Sequence, residues 1–183
     1  MMPKVLRLFV LVYFSAAAMS ALSCDFAYKI LQKEGAEEKD LLGEILPFTY
    51  NANVEEVQQL LKIHGYNPGK ADGKIGNNTR KAIEKFQQDH GLKITRFVDK
   101  KTWAKLSLVK EAGLVLSGEI NMKTLQTVLK SAGFNPGKID GKGGRQTQKA
   151  LQDFQAAHGL KPDGVIGSQT LNKLVEYLSS PAQ

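Results

Sequence analysis

The chain has 183 residues, 42% hydrophobic and 23% charged, and carries a net charge of +7. That length and composition allow one or two small globular domains. The single cysteine, Cys24, excludes an internal disulfide, so any core must hold without covalent staples.

Lys4 and Arg7 precede an apolar run from Leu8 to Phe14, followed by Ala16, Ala17, Ala18 and small residues to Ser23. This is the form of an export signal over residues 1–23. The apolar stretch, about 15 residues, is short of the roughly 20 that span a bilayer. Cys24 stands where the signal ends, and its position resembles the lipidation site of bacterial lipoproteins. The usual box has Leu three residues before the Cys and small residues between; here Ala21, Leu22 and Ser23 hold those places, and only Ser23 fits well. Ordinary cleavage at Ala18, Ala21 or Ser23, leaving an incidental thiol, is the alternative. Residues 24–52 hold three basic and six acidic residues, with helical character broken by Gly35, Gly43 and Pro47. They are expected to form a partly ordered spacer.

The remainder is a tandem duplication. Gly65 to Leu92 and Gly133 to Leu160 align without a gap, and the register holds from Asn53 against Asn121 to Leu106 against Leu174. Such self-similarity sets the fold before any local reading does. In each copy, apolar residues recur at helical spacing: Val54, Val57, Leu60 and Leu61 in the first, Met122, Leu125, Val128 and Leu129 in the second. Asn53 with Glu56 has the form of a capping box, and Gly65 and Gly133 sit where a left-handed residue ends the helix. A second helix carries Ala82, Ile83 and Phe86, or Ala150, Leu151 and Phe154, and stops at His-Gly-Leu (His90 and His158). A third supplies Trp103 and Leu106, or Leu171, Leu174 and Leu178. The expected fold is all-α: two small three-helix bundles, residues 53–106 and 121–178, joined by a connector at 107–120 and ending in a frayed tail at 179–183. Leu114, Val115 and Leu116 of the connector are expected to pack on one bundle.

The turns repeat as well. Asp-Gly-x-x-Gly-x-x-Thr occurs at Asp72, Gly73, Gly76 and Thr79; at Asp140, Gly141, Gly144 and Thr147; and at Asp163, Gly164, Gly167 and Thr170. The Asp carboxylate suits the amide two residues on, the first Gly a positive φ, and the second a tight turn into a helix whose Thr hydroxyl caps an orphan amide. The fourth instance is degraded to Thr95-Arg96-Phe97-Val98-Asp99, which predicts a looser structure there with Asp99 as an ordinary N-cap.

A helix with Leu-Gln, then Gly-Phe/Tyr-x-x-Gly-x-x-Asp-Gly-x-x-Gly-x-x-Thr-x-x-Ala-x-x-x-Phe-Gln, then Gly-Leu-x-x-Asp-Gly-x-x-Gly-x-x-Thr-x-x-x-Leu resembles the peptidoglycan-binding domain family. The resemblance implies a three-helix module of the kind attached to many cell-wall hydrolases, with peptidoglycan as its ligand class. The second copy follows the pattern throughout; the first departs at Arg96 and Asp99.

Charge agrees with that ligand. Residues 53–106 hold 11 basic and 6 acidic residues, and 121–178 hold 8 and 4. Basic modules take anionic polymers, and an export signal removes them from cytoplasmic nucleic acid. Tyr66 and Phe134 adjoin the Asn-Pro-Gly-Lys turns, Lys70 and Lys138 follow, and Arg80 and Arg145 begin the second helices. These six residues are the expected ligand-facing rim, with aromatic faces for sugar and cations for carboxylates; for Tyr66 and Phe134 a purely structural place in the core is an equal alternative. No His-x-x-x-His or paired-Cys spacing points to a metal, no cofactor is implied, and nothing requires a catalytic group. The expectation is a non-catalytic wall-binding protein of the envelope, anchored to the membrane by lipid on Cys24. The alternatives are an accessory component of a wall hydrolase, or a module that docks onto an envelope enzyme.

Overall fold

In the computed structural model, residues 33–46 and 48–179 are described. The signal at 1–23, Cys24 and the last four residues of the tail lie outside them. Helix α1 spans Lys33–Leu42, α2 Ala52–Ile63, α3 Asn77–Asp89 and α4 Lys100–Glu111. A short antiparallel ribbon, β1 Val115–Leu116 against β2 Glu119–Ile120, leads to α5 Met122–Ser131, α6 Arg145–Ala157 and α7 Ser168–Ser179. Helices α2–α4 make module one and α5–α7 module two, so the described residues are all-α apart from the ribbon.

The helix ends follow from local chemistry. Each of α2, α3, α5 and α6 stops on a His or Ala followed by a glycine at positive φ: Gly65, Gly91, Gly133 and Gly159. The next residue then donates back across the last turn, as Tyr66 N–H does to Leu61 O (2.9 Å) and Leu160 N–H to Gln155 O (2.8 Å). Six-to-one closure of this kind satisfies carbonyls that the helix itself leaves open. The N-cap of α2 is Asn51, whose side chain accepts from the amides of Asn53 and Val54. This corrects the expected Asn53 capping box: Asn53 already lies in the first turn, and its side-chain Nδ2 donates to Leu42 O. In module two the aligned Asn121 is the cap, accepting from Thr124 N–H. Asp99 caps α4 through Thr102 N–H, as expected.

Val54, Val57, Leu61, Ile83, Phe86 and Leu106 are buried in module one, and Leu125, Leu129, Leu151, Phe154, Leu171 and Leu174 in module two. Each such side chain contributes about 1.5–3 kcal/mol by leaving water. The two sets form one continuous cluster, because α4 of module one packs on α7 of module two. The connector belongs to it: α4 runs on to Glu111, and Leu114 and Val115 are buried, while Leu116 is 67% exposed instead of packing as expected.

Two further expectations fail for one reason. The stretch 33–46 is no spacer, since Leu42 and Ile45 join the core and Glu38 is 0% exposed. Nor is 95–102 loose, since Thr95, Phe97, Val98 and Thr102 are all buried. Helix α1 covers this region of module one: Glu38 grips Arg80 with both oxygens, at 2.6 and 2.9 Å, and accepts from Val98 N–H at 2.9 Å. A long-range ion pair of this sort leaves no periodic trace in the sequence.

Candidate functional site

The turns that enter α3, α4, α6 and α7 are each locked by a buried glutamine from the preceding helix. In module one, Gln58 Oε1 accepts from the amides of Asp72 and Gly73, while its Nε2 donates to Lys74 O (2.9 Å) and Thr79 Oγ1 (3.1 Å). Gln126 repeats this on Gly141, Lys142 and Thr147. Gln155 holds Gly164, Val165 and Thr170 in the same way, and Gln87 holds Thr95, Arg96, Phe97 and Thr102. One amide side chain can both donate and accept, which is why Gln fits and Glu does not.

Sequence reasoning quoted these glutamines in the family pattern without assigning them a task. Their constant spacing, 14 residues to Asp72 and Asp140 and 8 to Thr95 and Asp163, was the available signal.

The turn residues behave largely as expected. Asp72, Asp140 and Asp163 accept from the amide two residues on, at 2.8–3.0 Å. Those backbone bonds hold each carboxyl below its usual range. Gly73, Gly141 and Gly164 have φ of 69–79°, where a side chain is strained. Two details differ. Thr79 and Thr147 take the Gln amide proton and donate to Pro68 O and Pro136 O instead of capping an amide. A Cβ on Gly76, Gly144 or Gly167 would meet open space, so close approach does not explain those glycines.

The expected rim divides. Lys70, Lys138 and Arg145 are exposed. Tyr66 and Phe134 are half-buried and stand edge-on to Phe86 and Phe154, both at 5.6 Å. Arg80 is not on the rim: it is 1% exposed, paired with Glu38 and lying 4.8 Å over the Phe97 ring. A buried guanidinium committed to a bidentate carboxylate is unavailable to any ligand.

Two concave features remain near these residues. The first, about 540 Å³, lies where the modules meet and includes His64, Tyr66, Asp89, His90, Lys161 and Ser168. Ser168 Oγ sits 2.9 Å from His90 Nε2 and 3.3 Å from His64 Nδ1. His90 Nδ1 faces Phe86 O at 2.8 Å, which requires its proton there and leaves Nε2 to accept from the serine. Burial pushes His64 down to about 4 and the Tyr66 phenol, which donates to Asp89, up to about 12. A serine on a histidine is the beginning of a nucleophile, but the same helix-end His158 bonds Phe154 O at 2.7 Å and Tyr177 OH at 2.9 Å inside module two. The pattern is a joint: His90 and His158 are each tied to their own helix and to a hydroxyl of α7, and His64 is tied to Leu106 O of α4 and to the same Ser168 hydroxyl.

The second feature, about 580 Å³, is a groove on module two. Met122, Leu125, Leu151 and Ile166 supply apolar lining; Arg145, Gln148, Lys149 and Gln152 supply the polar part. No Asp or Glu lines it. Among the described residues, no cluster of His, Cys, Asp or Glu is arranged to hold a metal.

Comparison with known proteins agrees with this architecture. Residues 50–106 and 119–174 each match the family described as "Putative peptidoglycan binding domain". The chain is 36% identical over 109 residues to the N-acetylmuramoyl-L-alanine amidase CwlM of Mycobacterium tuberculosis, covering 54% of this chain and 26% of that protein. It is 45% identical over 60 residues to a spore cortex-lytic enzyme of Bacillus cereus, covering 33% and 23%. It is 36% identical over 70 residues to the zinc D-Ala-D-Ala carboxypeptidase of Streptomyces albus G, covering 36% and 27%. The chain thus spans about a quarter of the length of these relatives. No solved structure gave a significant match. With two matched copies over more than half its length, and the same glutamine-locked turns in both, this chain belongs to the peptidoglycan-binding domain family.

Proposed function

We propose that the protein is a non-catalytic peptidoglycan-binding component of the bacterial envelope, exported by residues 1–23 and anchored by lipid on Cys24. The observation that carries the binding reading is the exposed cationic, acid-free groove of module two, in a chain of this family. Arg145 makes no ion pair among the described residues, so its guanidinium is available to a wall carboxylate. Lys138 lies on the neighbouring turn and adds to the local positive potential. Two modules on one chain raise the effective concentration of the second contact once the first is made.

The test is cosedimentation of residues 25–183 with purified sacculi, wild type against Lys138→Ala with Arg145→Ala. Pelleting of the wild type that falls in the variant supports the reading; no pelleting of the wild type rejects it. A second reading, an accessory component of a wall hydrolase, is favoured by the relatives, which are hydrolases by name and match over this region alone. It predicts that the protein raises muropeptide release by a partner hydrolase while releasing none itself.

A further inference from the structure

We propose that the groove of module two is the seat of a carboxylate-bearing peptide, of the stem-peptide class carried by peptidoglycan, and that α1 permanently occupies the equivalent seat of module one. The inference rests on the peptidoglycan reading above and names the site and the moiety.

The two seats are built on one frame. Arg80 and Gln148 are aligned in the duplication, as are Arg96 and Gly164, Val98 and Ile166, and Val54 and Met122. Arg80 Nη1 donates to Arg96 O at 3.0 Å, and Gln148 Nε2 donates to Gly164 O at 3.1 Å. The same bond therefore ties the second helix to the following turn in both modules.

What differs is the cover. On module one the Glu38 carboxylate completes the seat by accepting from Arg80 and from Val98 N–H. On module two no described segment lies there. Gln148 is exposed and Met122 and Ile166 are half-buried, whereas Arg80, Val54 and Val98 are buried. Val165 is 63% exposed where its counterpart Phe97 is 1%. The amide of Ile166, aligned with the one that Glu38 serves, has no acceptor among the described residues.

The covered seat shows what the open one accepts: a carboxylate on the backbone amide, with apolar groups against the floor. Arg145 and Lys149 line the open groove and no acid does; Lys149 is held by Asp153 at 3.1 Å, while Arg145 makes no ion pair among the described residues, so an anionic occupant meets favourable charge at Arg145. Its volume, about 580 Å³, suits a short peptide. The α1 helix of a second copy is a poorer occupant. Its Glu38 would exchange the Arg80 guanidinium for the neutral amide of Gln148, and a carboxylate buried without a cation is costly. A peptide end in an open groove keeps water on one side.

The test uses residues 25–183 labelled with 15N, titrated with muropeptides released from sacculi by a muramidase and, separately, with glycan strands stripped of peptide. The Ile166 amide should shift with muropeptides and not with bare glycan. Arg145→Glu should weaken muropeptide binding about tenfold, while Asn77→Glu, at the aligned position of module one, should change it less than about twofold. Intact amide dispersion in both variants shows that they fold. If the wild type pellets with sacculi but Ile166 does not respond, or bare glycan shifts it equally, the seat is wrong and the wall-binding reading stands. An Ile166 shift that depends on protein concentration alone assigns the seat to a second copy and overturns the proposal. If the wild type does not pellet with sacculi, both readings fall.

Discussion

Module one and module two share a fold but not a surface. At the aligned positions Arg80 and Gln148, one is sealed beneath Glu38 of α1 and the other faces solvent. At Arg96 and Gly164, one backbone is forced to φ 65° against its side chain and the other reaches φ 70° without one. Duplication preserves the glutamine locks, which each module needs for its own turns. It leaves the outer face free to diverge, because one added helix suffices to cover it. The lesson is that copies alike in sequence can differ in what they leave available.

The sharpest way to break the comparison is to uncover module one. Glu38→Ala leaves the Arg80 charge buried without its carboxylate and should cost about 3–5 kcal/mol in urea unfolding. Pairing Glu38→Met with Arg80→Met should recover most of that loss, since both desolvated charges are gone. A small loss from Glu38→Ala alone would show that α1 is weakly held.

The locks should not distinguish the modules. Gln58→Ala strands two turn amides and Gln126→Ala one, each with the turn carbonyl that its Nε2 served, and each should destabilise by about 2–3 kcal/mol. Loss of less than about 1 kcal/mol from either would mean that its turn stands without the glutamine.

Between about pH 6.5 and 5, above the range in which the turn aspartates titrate, the pH dependence should come from the joint. His64 is held neutral by burial, with its value down to about 4, against an ordinary value near 6.5 in the unfolded chain. Below pH 6.5 the unfolded state takes up a proton that the folded state refuses. Stability is therefore full well above pH 6.5 and falls as pH drops toward 4, by on the order of 2 kcal/mol at pH 5. His64→Ala, which copies Ala132 at the aligned position, should flatten that slope between pH 6.5 and 5. An unchanged slope would assign it to other groups.

The smallest effects concern the left-handed turn. Gly164→Ala puts a Cβ 1.9 Å from Gln148 Nε2, and the strain should cost about 1–2 kcal/mol by thermal unfolding. Arg96→Gly relieves a positive φ but frees the unfolded chain and loses the Glu84 ion pair. Its net effect should stay within about 1 kcal/mol.

Periodicity, glycine-ended helices and the repeated Asp-Gly turns were legible residue by residue, because each rests on neighbours within a few positions. Arg80 was misplaced on the rim because an arginine in a first helical turn is ordinarily solvated; only a carboxylate 42 residues upstream buries it. Tyr66 and Phe134 stayed ambiguous for a related reason: a ring beside a turn can face in or out, and here each rests its edge on a core phenylalanine.

Two three-helix units, their register, their turn chemistry and their basic character were therefore determined by the amino-acid order alone, since 3.6-residue periodicity and capping are local. Which unit keeps an open face, how α4 meets α7, and that residues 33–46 belong to the core were decided only in three dimensions. Those outcomes depend on side chains far apart in the chain reaching one another as water is expelled, and no local pattern encodes that meeting.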